Sequence, residues 1–231
     1  MKNSRIVIFS VGLLLSAVII AFGLSKVLPQ ERTVTVRGLS EREVPANLAV
    51  WPVTFSLGGN DLHNLQTAIM QKTALVTEYL EKKGLSQGDY IIQSPTINDL
   101  TTNPYMAEER RSFQYIAKCV ILVRSTKVDA VKNAYENSVE LLGKGIAIKN
   151  EYDSKISFDF TSLNEIKPEM IREATQNARA AAEQFAQDSG SKVGKIKKAT
   201  QGLFSINDAA IGLAERKTVR VVTTVEYILA D

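Results

Sequence analysis

One short stretch has the spacing of a hydrolase nucleophile: Gly84-Leu85-Ser86-Gln87-Gly88. A nucleophile elbow needs a strand leading into a helix, because the tight turn between them lifts the serine hydroxyl toward a base. Here the order is reversed, with a helical pattern ending at Gly84 and a strand pattern following. The base is also missing from reach. The sole histidine, His63, stands near the start of that same helix, roughly 30 Å along its axis from Ser86. His63 follows Leu62 and lies off the apolar stripe, and without a second His or Cys nearby it makes a poor metal site. The sole cysteine, Cys119, shares a strand face with Phe113 and Tyr115 and reads as a small core hydrophobe. A redox-sensing thiol would instead be exposed and near positive charge. No phosphate loop or dinucleotide-type glycine fingerprint occurs. Catalytic, cofactor and metal residues are therefore all assigned as none. An envelope serine hydrolase using Ser86 and a thiol-based stress sensor using Cys119 stand as the alternatives.

Two loops carry features suited to contact rather than reaction. Glu108-Glu109-Arg110-Arg111 is a charge cluster that solvates a hairpin tip or meets a partner. The loop Ser205–Arg216 holds Ile206, Ile211 and Leu213 beside Ala209, Ala210 and Gly212, an apolar tip suited to a protein or subunit contact. The run Lys192–Lys198 is basic but short, and reads as a solvated face.

The 231 residues are 45% hydrophobic and 23% charged, as in a folded globular protein with chain enough for a sizeable core. The net charge of +3 comes from the N-terminus. Residues 1–30 carry Lys2, Arg5 and Lys26 and no acid, so the 28 basic residues fall to 25 beyond that point, against 25 acidic ones. A formally neutral body has no nucleic-acid footprint. One cysteine allows no internal disulfide.

Ile6–Leu24 is an uncharged stretch of 19 residues behind a short basic start. As a helix it would be roughly 28 Å long, near the hydrocarbon thickness of a bilayer. The length favours an uncleaved signal anchor, with Lys2 and Arg5 keeping the N-terminus in the cytoplasm. A cleaved signal peptide, processed after Ala21-Phe22-Gly23, is the competing reading. Either one places the chain from about residue 30 onward outside the cytoplasmic membrane. Residues 1–29 thus form the leader and linker, and residues 30–231 a single α+β domain.

Within that domain, Thr33–Arg37 reads as a strand stopped by Gly38, and Val44–Leu57 as an edge or bulged strand because of Pro45 and Pro52. Leu62, Leu65, Ile69, Val76 and Leu80 fall on one helical face, ended by Gly84. Tyr90–Asn98 and Ser112–Arg124 form a hairpin across a long polar loop. Lys127–Leu142 is a shorter helix and Tyr152–Phe160 a strand. A capping box at Ser162-x-x-Glu165 opens a helix with the stripe Met170, Ile171, Ala174, Ala178, Ala181, Ala182 and Phe185. Val193–Phe204 and Lys217–Leu229 close the chain. Ser56-Leu57 and Ser162-Leu163 lie 106 positions apart, as do Gly84 and Gly190. Two duplicated strand–helix–strand–strand units fit that offset. The expected architecture is antiparallel sheet with helices packed on one face.

The motifs resemble those of the SIMPL-domain family. Val34-Thr35-Val36-Arg37-Gly38 followed by Pro45-Ala46-Asn47-Leu48-Ala49 is similar to its opening signature, and Tyr115-x-Ala117 with Val128-Asp129 to its middle. Glu173-Ala174, Ala178-Arg179-Ala180, Phe185-Ala186, Gly190, Val193-Gly194 and Ile196 resemble its glutamate-alanine helix and following strand. The likeness covers about residues 33–229. It implies a periplasmic or envelope protein, akin to periplasmic immunogenic proteins and in some cases linked to oxidative stress, with no catalytic residues to transfer. Similar sequences often have Asp directly after the signature proline, where this chain has Ala46. The resulting expectation is a non-enzymatic protein, held in the inner membrane facing the periplasm, or periplasmic if the leader is cleaved. Its domain would self-associate or bind another envelope component, with no cofactor.

Overall fold

The computed structural model describes residues 12–20, 31–102, 112–149 and 154–230. Its strands are β1 (Thr33–Pro45), β2 (Leu48–Gly59), β3 (Tyr90–Ile92), β4 (Thr96–Asp99), β5 (Tyr115–Ser125), β6 (Ser157–Asp159), β7 (Lys192–Gln201), β8 (Ser205–Asp208) and β9 (Arg216–Ala230). Beyond residue 30 its α-helices are α1 (Leu62–Lys82), α2 (Val128–Glu136) and α3 (Leu163–Asp188). The fold is α+β with antiparallel sheets. Residues 12–20 are helical and exposed, while the rest of the apolar run Ile6–Leu24 and the Ala21-Phe22-Gly23 site lie outside the described residues. Among the described residues, no helix is long and apolar enough to cross a membrane.

The chain groups into two compact units. The larger comprises Glu41–Met170 and Leu203–Val221. Its sheet runs β3–β5–β2–β6, with β4 also paired to β5. The centre is the β2–β5 ladder, paired from Ala49↔Ser125 to Gly59↔Tyr115 without a shift. Alternation then puts Trp51, Val53 and Phe55 on one face with Ala117, Cys119, Ile121 and Val123, all buried. Helix α1 packs Leu65, Val76, Tyr79 and Leu80 on this face, and α2 adds Val131 and Ala134. Trp51 meets Tyr135 edge to face, centroids 5.5 Å apart. The phenol of Tyr79 donates to the Ala134 carbonyl at 2.6 Å, tying α1 to α2 inside the core.

Two sequence expectations change here. The pattern of prolines suggested an edge or bulged strand, yet β2 is flanked by β5 and β6. Pro52 fits because β6 pairs only Leu48–Val50, so from Pro52 onward that edge of β2 carries no continuous ladder. The expected single strand Tyr90–Asn98 is broken into β3 and β4, which pair with different stretches of β5.

The smaller unit comprises the chain up to Ser40, Ile171–Gly202 and the residues from Val222 on. Here β1, β9 and β7 lie in that order. The core is Val36, Ala178, Ala182, Val225 and Tyr227. Gly38 does not stop β1. It lets the strand pass under α3 so closely that a Cβ would overlap the Ala174 carbonyl oxygen and the Ala178 nitrogen. Ser40 Oγ donates to Glu173 Oε2 at 2.9 Å, and Asn177 Nδ2 to the Leu39 carbonyl at 2.8 Å, fixing the crossing. The buried stripe of α3 is narrower than its hydropathy suggests: Ala174, Ala178, Ala182 and Ala186 are buried, but Phe185 is 60% exposed. A helix held this near a strand has room only for methyl groups on that face.

The ends of α1 and α3 share one backbone hydrogen-bond pattern. Gly84 and Gly190 both take positive φ, 90° and 68°. The Leu85 N–H reaches the Leu80 carbonyl at 3.1 Å, and the Ser191 N–H reaches the Ala186 carbonyl at 2.8 Å. Each pair lies 106 positions from its counterpart.

Gly38→Val is expected to destabilise the folded chain by about 3 kcal/mol through overpacking. A urea midpoint shifted down at unchanged slope would demonstrate this, and an unchanged midpoint would refute the close crossing.

Candidate functional site

The polar centre of the larger unit is Asp89. A short helical turn, Gln87–Asp89, follows α1 and delivers this carboxylate to the start of β3. Its Oδ2 accepts from the Ser86 N–H and Ser86 Oγ, both at 2.7 Å, and from Lys127 Nζ at 2.8 Å. Its Oδ1 accepts from Ser125 Oγ at 2.7 Å. The Lys127 ammonium, then the Ser86 amide and the Ser125 hydroxyl, hold the Asp89 carboxyl far below the usual carboxylate range. One side chain thus fastens the end of α1, the end of β5 and the start of α2.

Beside this knot opens a cleft of about 750 Å³ lined by Pro45, Ala46, Asn47, Thr126–Ala130, Lys132, Glu215 and Arg216. Its cations are each held in an ion pair, Lys127 with Asp89 of the knot. Lys132 Nζ pairs with Glu215 Oε1 in a short contact, and Arg216 Nε with Glu43 Oε1 at 2.7 Å. The hydrogen bond between Lys132 and Glu215 raises the lysine and lowers the acid. Both groups therefore move away from neutrality, opposite to what general acid–base work near pH 7 requires. The floor is backbone: the Ala46 N–H donates to the Glu215 carbonyl at 2.8 Å and the Asn47 N–H to the Asp159 carbonyl at 3.0 Å. The Asn47 amide spans to the lead-in of α3, donating to Ser162 Oγ at 3.0 Å and accepting the Thr161 N–H at 2.8 Å. This arrangement can hold a polar ligand through hydrogen bonds and displaced ion pairs. Among the described residues, no group of His, Cys, Asp and Glu is arranged to hold a metal.

The residues singled out by type are placed elsewhere. Ser86 serves as the cap of the turn at Asp89, its hydroxyl committed to that carboxylate. His63 is exposed in the first turn of α1, and the 21-residue helix separates it from Ser86, so the two are not brought together. Cys119 is buried opposite Phe55, and burial pushes its thiol pKa up. Glu108-Glu109-Arg110-Arg111 lies outside the described residues. The apolar loop after β8 is closed by three backbone bonds, Ala209 to Arg216 at 2.8 Å and Leu213 to Ala210 and Arg216 to Leu213 at 3.1 Å. It presents Ile211 fully exposed, with Leu213 half exposed, while Ala214 packs against the core.

Two stretches from distant parts of the sequence, Pro45-Ala46-Asn47 and Val128-Asp129, line the same cleft. Residues 34–227 match the family described as SIMPL, protein of unknown function (DUF541). The chain belongs to the SIMPL family. No curated protein matches it. The SIMPL match runs from β1 to Tyr227 in β9, so it takes in both compact units. Its opening stretch supplies the Gly38 crossing in the smaller unit and the cleft wall at Pro45–Asn47 in the larger. Asp89, Lys132 and Glu215 were not visible as a group in the sequence. The one local signal was the Ser86-x-x-Asp89 spacing of a capping box, which points to a structural role for Ser86.

Asp89→Asn is expected to lower stability by about 2 kcal/mol at pH 7, the scale of hydrogen bonds to a charged group. A carboxylate with a depressed folded pKa stabilises above its unfolded pKa and loses that contribution as pH falls. The gap between wild type and variant should therefore close in acid, and a gap independent of pH from 7 to 2 would contradict the charge-based knot. Cys119 should resist a thiol reagent in the native state and react fully in urea. Native labelling at the rate of a free thiol would oppose its burial.

Proposed function

We propose that this SIMPL protein is a non-enzymatic binding module of the cell envelope, held in the inner membrane by residues 6–24 and facing the periplasm. The observation that carries the reading is the cleft at Pro45–Asn47. Family-signature residues meet there beside the Lys132–Glu215 pair, whose two groups are shifted away from the range useful for proton transfer. Such a site suits recognition better than turnover. The uncharged length of Ile6–Leu24 behind Lys2 and Arg5 supports the anchor, and the family resemblance adds a link to oxidative or envelope stress to the proposal.

The same proposal includes self-association. The loop packs Ala214 inward but holds Ile211 wholly in water beside the half-exposed Leu213, and an apolar tip formed by the two is suited to a groove on a second copy. Internal duplication belongs to the reading as well. The two helix ends repeat the same backbone hydrogen bond at an offset of 106, and the order strand, helix, three strands occurs from β2 to β5 and again from β6 to β9.

A photo-crosslinking residue in place of Ile211, in the full-length chain in membranes, tests the self-association. The expected product has twice the 25.4 kDa mass of the chain, and Ile211→Asp should weaken dimer formation by about tenfold, equivalent to ~1.4 kcal/mol. A protein that stays monomeric under both conditions would overturn this part of the proposal.

A further inference from the structure

Strand β7 stands at the edge of its sheet, and nearly all of it is exposed. It bears Lys192, Lys195, Lys197 and Lys198, and from Ser189 to Gly202 there is no acid. Two register shifts, between Val193 and Ile196 and between Ile196 and Lys198, interrupt its pairing with β9. Such bulges re-aim side chains and leave an edge unsuited to adding a further strand. Lys197 Nζ pairs with Glu31 at 3.3 Å and Glu226 at 3.9 Å. Lys192, Lys195 and Lys198 have no ion pair among the described residues.

The position of Glu31 gives this basic edge an address. Leu24, the last residue of the apolar run, precedes Glu31 by seven positions. Even fully extended, that chain spans at most roughly 25 Å, and Glu31 touches Lys197. The lysines are therefore tethered within a short reach of wherever the apolar run ends. If that run lies in a bilayer, the nearest large surface is its headgroup layer. Each lysine near an anionic surface gains attraction that fades over about a Debye length, 8–10 Å at moderate salt.

We propose that the lysine-bearing edge formed by β7 is a docking surface for anionic phospholipid headgroups, seating the smaller unit on the membrane that holds its leader. This rests on the anchor reading above. Lysines on an edge strand also deter pairing with another chain, but that protection works with charge of either sign. Headgroup docking requires positive charge, so reversal to glutamate separates the two roles.

The test uses the full-length chain with Ala199→Cys carrying a fluorophore, the native Cys119 being buried. It is reconstituted in vesicles of phosphatidylcholine alone or with phosphatidylglycerol, each containing a headgroup nitroxide quencher. Docking predicts at least twofold stronger quenching in the anionic vesicles, abolished by 0.5 M salt and by K192E/K195E/K198E. Equal quenching in both lipids by a chain that floats with both, or undiminished quenching of the triple variant, overturns the headgroup contact alone. Failure to float with neutral vesicles removes the anchor and overturns both readings.

Discussion

The larger unit depends on the uninterrupted pairing of β2 with β5. Once Ala49 faces Ser125, the two-residue period of a strand decides everything on the sheet: one set of side chains goes to the helices and the other away. A slip of one residue in β2 would carry Trp51, Val53 and Phe55 out of the core together, away from Cys119 and Ile121. The helices answer this face rather than create it, since α1 presents only Leu65, Val76, Tyr79 and Leu80 as fully buried residues. The same ladder sets where its far end lies, and it is there that Ser125 and Lys127 meet Asp89. Packing and the polar knot are thus one arrangement seen from two sides.

The cations lining the cleft are all engaged. Lys127 is claimed by the knot, Lys132 by Glu215 and Arg216 by Glu43. A ligand entering the cleft must offer something better than an existing ion pair, which favours groups that satisfy several partners at once. Because the ion pairs on the rim are partly exposed, each is worth little by itself, so exchange with a ligand need not be costly. The SIMPL family match spans the residues that build both the knot and the cleft.

Much of this architecture was legible from hydropathy. The period-two face of β5 from Ala117 to Val123, the helical stripe of α1 from Leu65 to Leu80 and the glycines at the ends of α1 and α3 all follow from local rules, and the structure bears them out, while Leu62 and Phe113 at the fringes are exposed. What stayed hidden was set by distance in sequence. Gly38 reads as a strand breaker until Ala174 is known to lie against it. Pro52 marks an edge only locally, because β6 covers β2 as far as Val50 and stops short of it. Asp89 and Lys127, or Lys132 and Glu215, are 38 and 83 positions apart, and no short window reveals that they meet. At Gly84–Gly88 the letters are those of a nucleophile elbow, but the order of elements already marked a helix end, and the structure has one there.

The alanine face of α3 has a consequence for how this sequence can drift. Where α1 buries branched and aromatic side chains, a change in one can be absorbed by its neighbours, because volume is shared among flexible partners. Where α3 runs against Gly38, the neighbour is main chain, which does not yield. Related chains should therefore vary freely in the hydrophobic identities along α1 while keeping the small residues of α3 almost fixed. The most invariant stretch of the protein would then record a steric limit, and its constancy would be no guide to where a ligand binds.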